Sequence, residues 1–175
     1  MTGVQTCALP IFLNLVFETF HMSKRRVVVT GLGVVSPVGI GVKTAWDNLI
    51  AGKSGITQIT KFDASAFNST IAGEVKDFNA EDFITAKDAR RMDTFIQYGL
   101  AAAIEAVKDS GIVATDENAE RIGVSIGSGI GGMQFIEDTD LLYQESGPRK
   151  ISPFFIPGTI INMISGNLSI MFGFK

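Results

Sequence analysis

One cysteine and one histidine, Cys7 and His21, are all that this chain of 175 residues offers for thiol or imidazole chemistry. A disulfide within the chain is therefore excluded, and a Cys/His metal site cannot be assembled. Such a composition fits cytosolic chemistry. Excess positive charge is also missing. Fifteen basic against 18 acidic side chains leave a net charge of −3, which excludes a broad nucleic-acid surface and leaves room only for a local basic patch. No export signal is legible, because the apolar run from Leu9 to Phe20 is broken by Pro10, Asn14 and Glu18 and no Lys or Arg precedes it. A membrane span is lacking as well. Ile151 to Phe174 carries no charge, but Pro153, Pro157, Asn162 and Asn167 dilute it, and it reads as a core helix. Neither a fixed-period repeat nor a low-complexity tract occurs.

What is present is apolar and punctuated by glycine. At 46% hydrophobic the chain can bury one sizeable core and is too short for several domains. Residues 1–21 differ from the rest, with no basic residue and no helix or strand period. They are expected to be a non-native leader: MTGVQTCALPI resembles translated sequencing-adapter DNA, IFLNLVFETFH reads as upstream sequence in frame, and Met22 looks like the true start. The run RRVVVTGLGVVSPVG, Arg25 to Gly39, then combines a basic edge, a β-branched apolar run and a glycine-proline turn. Val27, Val28 and Val29 show no polar alternation, which predicts a strand buried on both faces, as in a parallel sheet covered by helices. A helix is expected over Val42 to Ala51, followed by short extended pieces at Ile56 to Phe62 and Ile71 to Phe78. Asn79 is placed as a helix N-cap, with Glu81 and Asp82 in the first turn, and a second helical piece starts at Thr85. Phe95 to Lys108 reads as a buried helix stopped by Gly111. Arg121 to Ser128 returns to strand, a helix runs from Met133 to about Gln144, and a last helix is expected from Pro157 to Phe172, with Gly173 at its exit. The pattern is that of an α/β domain.

Glycine turns after strands invite a nucleotide-binding reading, and neither one passes. In GLGVVS the third glycine of G-x-G-x-x-G is Ser36, with Pro37 behind it removing an amide that a phosphate would want. Gly52-Lys53-Ser54 imitates a P-loop end, but Asp47 stands at the first glycine position, and the tripeptide closes a helix instead of opening one. Lys87, Arg90 and Arg91 stand at i, i+3 and i+4, so one helix would carry all three on one face. Arg149 and Lys150 add a second basic pair. On an acidic chain such a concentration could steer an acidic protein partner. An ordinary solvated face, with Asp88 and Asp93 as neighbours, explains the same spacing.

Four motifs in order, RRVVVTGLGVVSPVG, RRMDTFIQYG (Arg90 to Gly99), IGSGIGG (Ile126 to Gly132) and RKISPFFIPGTIINM (Arg149 to Met163), resemble the bacterial β-ketoacyl-acyl carrier protein synthases of the type II elongating class. The resemblance covers residues 22–175. It implies an α/β thiolase-like fold of αβαβα layers, of which only the first part is present, in a cytoplasmic homodimer that uses no cofactor. The implied reaction condenses an acyl chain held on a cysteine thiolate with malonyl-acyl carrier protein, releasing carbon dioxide, with two histidines assisting. Cys7 and His21 fall outside the matching region and the family's cysteine would follow Phe172, beyond Lys175. No catalytic residue is therefore carried over, and the piece itself is expected to be inactive. A carrier-docking or chain-length partner without a nucleophile is the alternative. By resemblance Ile130 lines the acyl tunnel, where a β-branched residue leaves room that a ring would fill, and Met133 forms another wall. Phe155 and Ile156 match residues that reach the neighbouring subunit's tunnel. Lys87, Arg90, Arg91, Arg149 and Lys150 match the surface that docks the acidic carrier protein. Without the resemblance, Ile130, Met133, Phe155 and Ile156 read as core packing.

Overall fold

The computed structural model describes residues 26–175. The expected leader, the start at Met22, and Cys7 and His21 lie outside the described residues. Residues 26–34, without regular secondary structure, lead into a tight antiparallel hairpin, β1 (Val35–Ser36) with β2 (Gly39–Ile40), in the register Val35↔Ile40 and Ser36↔Gly39. Pro37 and Val38 make its tip, and Ser36 Oγ donates to the Gly39 carbonyl at 3.0 Å. Helix α1 (Val42–Ile50) follows at once, as its sequence predicts. The two extended pieces beyond it pair with each other, β3 (Ile56–Gln58) antiparallel to β4 (Ile71–Gly73). The expected Asn79 cap is made, its side chain accepting the Glu81 N–H at the 3-10 turn Ala80–Asp82, and Thr85, where a second helical piece is expected to start, caps α2 (Ala86–Ala89) by accepting the Asp88 N–H.

Helix α3 (Thr94–Ser110) is the axis of the core. Ile96, Leu100 and Ile104 are spaced i, i+4 and i+8, so they form one buried stripe. Gly111, in the left-handed region at φ 67°, ends the helix as its position in the sequence suggests. Helix α4 (Met133–Ser146), the short α5 (Phe155–Thr159) and α6 (Met163–Phe172) complete the order. Ile164 and Leu168 of α6 close on the α3 stripe, with Ile84 from the preceding turn. The approach of α6 is close. A Cβ on Gly99 of α3 would stand 2.7 Å from Ile164 Cδ1.

Three expectations need correction. Residues 26–29 form no strand or ladder, and Val27, predicted to be buried, is 94% exposed. Burial of a strand on both faces requires hydrogen-bonded neighbours and covering layers, and no described residue pairs with this segment. Its inner end lies on α3 instead, where Gly31 and Gly33 leave room for the Ala106 and Ala102 carbonyls. The Leu32 N–H donates to Asp109 Oδ2 and the Val34 N–H to Glu105 Oε2, each at 2.9 Å. Two residues of extended chain advance about 6.6 Å and four residues of helix about 6 Å, so the two spacings match.

Residues 122–128 likewise join no ladder. Ile122, Val124, Ile126 and Ser128 are half-buried while Gly123, Ser125 and Gly127 are exposed, so the period of two is present without a ladder. The helix expected over Pro157 to Phe172 is two helices. Ile160 is extended at ψ 141°, and Thr159 turns its hydroxyl back to the Phe155 carbonyl at 2.9 Å, closing α5 before α6 begins.

Candidate functional site

Glycine sets the geometry where α4 begins. Gly131 has φ 91°, and a Cβ on Gly132 would lie 2.9 Å from Thr159 Cα and 3.1 Å from Asp93 Cβ. The turn can therefore press directly on α5 and on the residue that opens α3, and the Gly132 N–H donates to the Thr159 carbonyl at 3.0 Å. Phe135 meets Phe155 edge to face with ring centroids 6.3 Å apart. Ile130 and Met133 thus stand on one side of a glycine-tightened joint, and Phe155 and Ile156 on the other. Phe155 is half-buried, whereas Ile130, Met133 and Ile156 are 72%, 59% and 58% exposed.

Asp93 ties this joint together. Its Oδ1 accepts the Phe95 N–H at 3.2 Å, capping α3, and its Oδ2 accepts the Phe135 N–H of α4 at 2.9 Å. Its own N–H donates to the Gly158 carbonyl of α5 at 3.1 Å. Sequence reading placed Asp93 only as a charge beside the basic cluster. The signal for its cap was there, an Asp directly before a helix. The second bond, to a residue 42 positions away, carried no signal.

The basic residues divide. Helix α2 ends at Ala89, so Lys87 lies on it, Arg90 is its C-cap and Arg91 is past it; one helix face does not carry all three. Lys87 and Arg90 are exposed. Arg91 is half-buried, its guanidinium 4.1 Å from the centroid of the Phe154 ring. Arg149 and Lys150 are exposed on the 3-10 turn Pro148–Lys150, a few residues along the chain from Phe154. Neighbouring carboxylates are engaged elsewhere. Asp88 accepts the Thr85 hydroxyl at 2.7 Å, and Asp93 serves the helix ends. Among the described residues the one ion pair is Lys43–Asp47, so these five cations have no acidic partner.

Among the described residues there is no cysteine or histidine and no cluster of acidic side chains fit to hold a metal ion. No helix among them is long and apolar enough to cross a membrane. A cleft of about 730 Å³ lies between α1 and α3, another of about 680 Å³ between the Ala80–Asp82 turn and α6, and a third of about 480 Å³ over α3 between Gly33 and Val124. None of the three is lined by Ile130, Met133, Phe155 or Ile156. The arrangement can offer an exposed apolar surface beside unpaired cations.

Sequence comparison assigns the class: residues 24–175 match the family described as Beta-ketoacyl synthase, N-terminal domain, and the chain belongs to that family. Its relatives include proteins named 3-oxoacyl-[acyl-carrier-protein] synthase 2 from Vibrio cholerae, 58% identical over 154 residues, and from Coxiella burnetii, 54% identical over the same length. Each match takes in 88% of this chain and 37% of the relative, so the chain spans a little over a third of the proteins it matches. Solved structures agree. The ishigamide ketosynthase/chain length factor superposes with a TM-score of 0.73 at 29% identity, over 87% of this chain and 38% of that one. The ketosynthase AntDE, solved with the type II polyketide acyl-carrier protein AntF, gives 0.68 at 27% identity, over 87% and 41%. The fold is thiolase-like, and this chain has its N-terminal part.

Proposed function

We propose that this chain forms the carrier-docking surface and one wall of the acyl pocket in a fatty-acid-elongating condensing enzyme, a cytoplasmic homodimer. That enzyme joins an acyl group held on a cysteine to malonyl-acyl carrier protein, and loss of carbon dioxide yields the 3-oxoacyl product. The observation that carries the reading is the pairing of five cations without carboxylate partners with an exposed apolar joint on the adjoining segment. An acidic carrier is attracted to the first, and the chain it delivers is apolar and suits the second. The names of the curated relatives, and a structural neighbour solved with its acyl-carrier protein, support the same assignment. Exposed Ile156, Ile160 and Ile161 offer apolar surface to a second subunit. A second reading, a chain-length partner that shapes the pocket without reacting, is favoured by likeness to a ketosynthase/chain length factor.

The test uses this chain and a chimera in which residues 24–175 replace the matching segment of the Vibrio cholerae relative. The chain should bind acyl carrier protein with an affinity that falls as salt rises, and reversing Lys87, Arg90, Arg149 and Lys150 to Glu should weaken it by more than about tenfold at low salt. The chimera should elongate an acyl primer with malonyl-acyl carrier protein. Unchanged affinity in the reversed variant removes the docking surface. A folded chimera that decarboxylates malonyl-carrier protein without elongating favours the chain-length partner.

A further inference from the structure

The Asp93 carboxylate divides its two oxygens between the first turns of α3 and α4, and its backbone N–H holds α5. No other described residue hydrogen-bonds to α3, α4 and α5 together, with its side chain on two of them and its backbone on the third. Gly132 lies between Asp93 and Thr159 without a side chain of its own, its N–H ties the turn to the Thr159 carbonyl, and the Asp93 carboxylate is the side-chain tie that holds the first turn of α4 to the head of α3. A carboxylate suits this position because both partners are N–H donors, and an ionised Asp is an acceptor at both oxygens. An amide is not equivalent: Asn would turn an NH2 group toward one of the two donors. Serine would still cap α3 but is too short to reach Phe135 N.

We propose that Asp93 is a positioning residue for acyl-chain length: by fixing the α4 turn against α5 it sets the separation between the Ile130/Met133 side and the Phe155/Ile156 side. This rests on the reading of those four residues as pocket wall. Severing the α4 tie lets the turn drift, which alters the space for long chains and leaves the shorter ones, which do not reach the joint, in place.

The experiment compares Asp93→Ser and Asp93→Asn with Ile130→Phe, each in the chimera and in this chain. In the chain, amide hydrogen exchange should show Phe135 losing protection in Asp93→Ser while Leu100 and Ile104, in the interior of α3, keep theirs. In the chimera, kcat/KM for long-chain primers should change by about tenfold relative to short ones in Asp93→Ser, with Asp93→Asn in between. A uniform fall in kcat/KM for all chain lengths, with Phe135 deprotected, means that Asp93 supports the fold only and overturns the proposal. If Ile130→Phe shifts the chain-length profile and Asp93→Ser does not, the positioning role fails while the pocket reading stands. If neither shifts it, the pocket reading itself has failed. Should Asp93→Ser not fold, Asp93→Asn decides by the same comparison.

Discussion

Arg91 lays its guanidinium over the ring of Phe154, 4.1 Å from the ring centroid. The contact fastens the segment after α2 to the residue just before α5, so the basic surface and the apolar joint are packed against each other. A Lys at this position could place its charge there but not stack a plane on the ring. Arg91 is thus partly withdrawn from docking by its packing role, which leaves Lys87, Arg90, Arg149 and Lys150 as the freely presented cations.

A double-mutant cycle on Arg91→Ala and Phe154→Ala should give a coupling energy of about 0.5–1 kcal/mol from urea unfolding, the range for a half-buried cation–ring pair. Additive single variants would show that the stacking contributes nothing.

Ile130→Phe in the chimera should lower kcat/KM for long acyl primers and spare short ones, because a ring takes up room that the sec-butyl side chain leaves. Equal loss at all lengths would move Ile130 out of the pocket wall.

Glu105 of α3 accepts the Val42 N–H at 2.8 Å and the Val34 N–H at 2.9 Å, joining the head of α1 to the entering chain. Glu105→Ala leaves both donors without a partner. A cost of about 1–3 kcal/mol in the urea-derived unfolding free energy is expected, with Glu105→Gln losing less because one acceptor oxygen survives.

Gly132→Ala should destabilise by about 1–3 kcal/mol, since its Cβ would meet Thr159 Cα at 2.9 Å, and backbone on one side and Asp93 on the other must give way. Gly123→Ala, where the added carbon meets nothing within 4 Å, is the matched control in the same thermal melt.

Acid should weaken the β3–β4 corner. The Thr60 hydroxyl and N–H both donate to the Glu74 carboxylate, and these bonds hold its pKa below the ordinary glutamate value. A group whose pKa is lower in the folded state stabilises fully above its unfolded pKa, and the contribution disappears as pH falls through the folded value. Glu74→Gln should therefore lower stability at neutral pH, leave it nearly unchanged at the acid end, and so flatten the acid limb of the stability–pH curve. An acid limb of unaltered slope would remove Glu74 from that linkage.

Features written in neighbouring residues were legible: the Asn79 cap, the helical start at Thr85, the Gly111 and Gly173 stops, the reach of α1 and α4, and the core stripe of α3. Each depends on a backbone bond or a side-chain period inside one turn or one helix. The family was legible too, since four motifs in order constrain more than any one of them. Val27 to Val29 and Arg121 to Ser128 read as strands from composition and period, and neither joins a ladder. Pairing was a different matter. A ladder needs a second backbone at about 4.8 Å, which no local pattern supplies. The break at Ile160 was equally hidden, because Pro157 reads as a helix start in isolation.

The order of elements, the caps and the membership of the fold were thus determined by the sequence alone, through short-range bonds and motif spacing. Tertiary structure decided that Arg91 stacks instead of standing free, that Glu105 and Asp109 stand in for a neighbouring strand, and that one carboxylate, Asp93, joins three segments. Such contacts link residues tens of positions apart, and their partners are chosen by which backbones glycine allows to approach, a choice made only when the whole core closes.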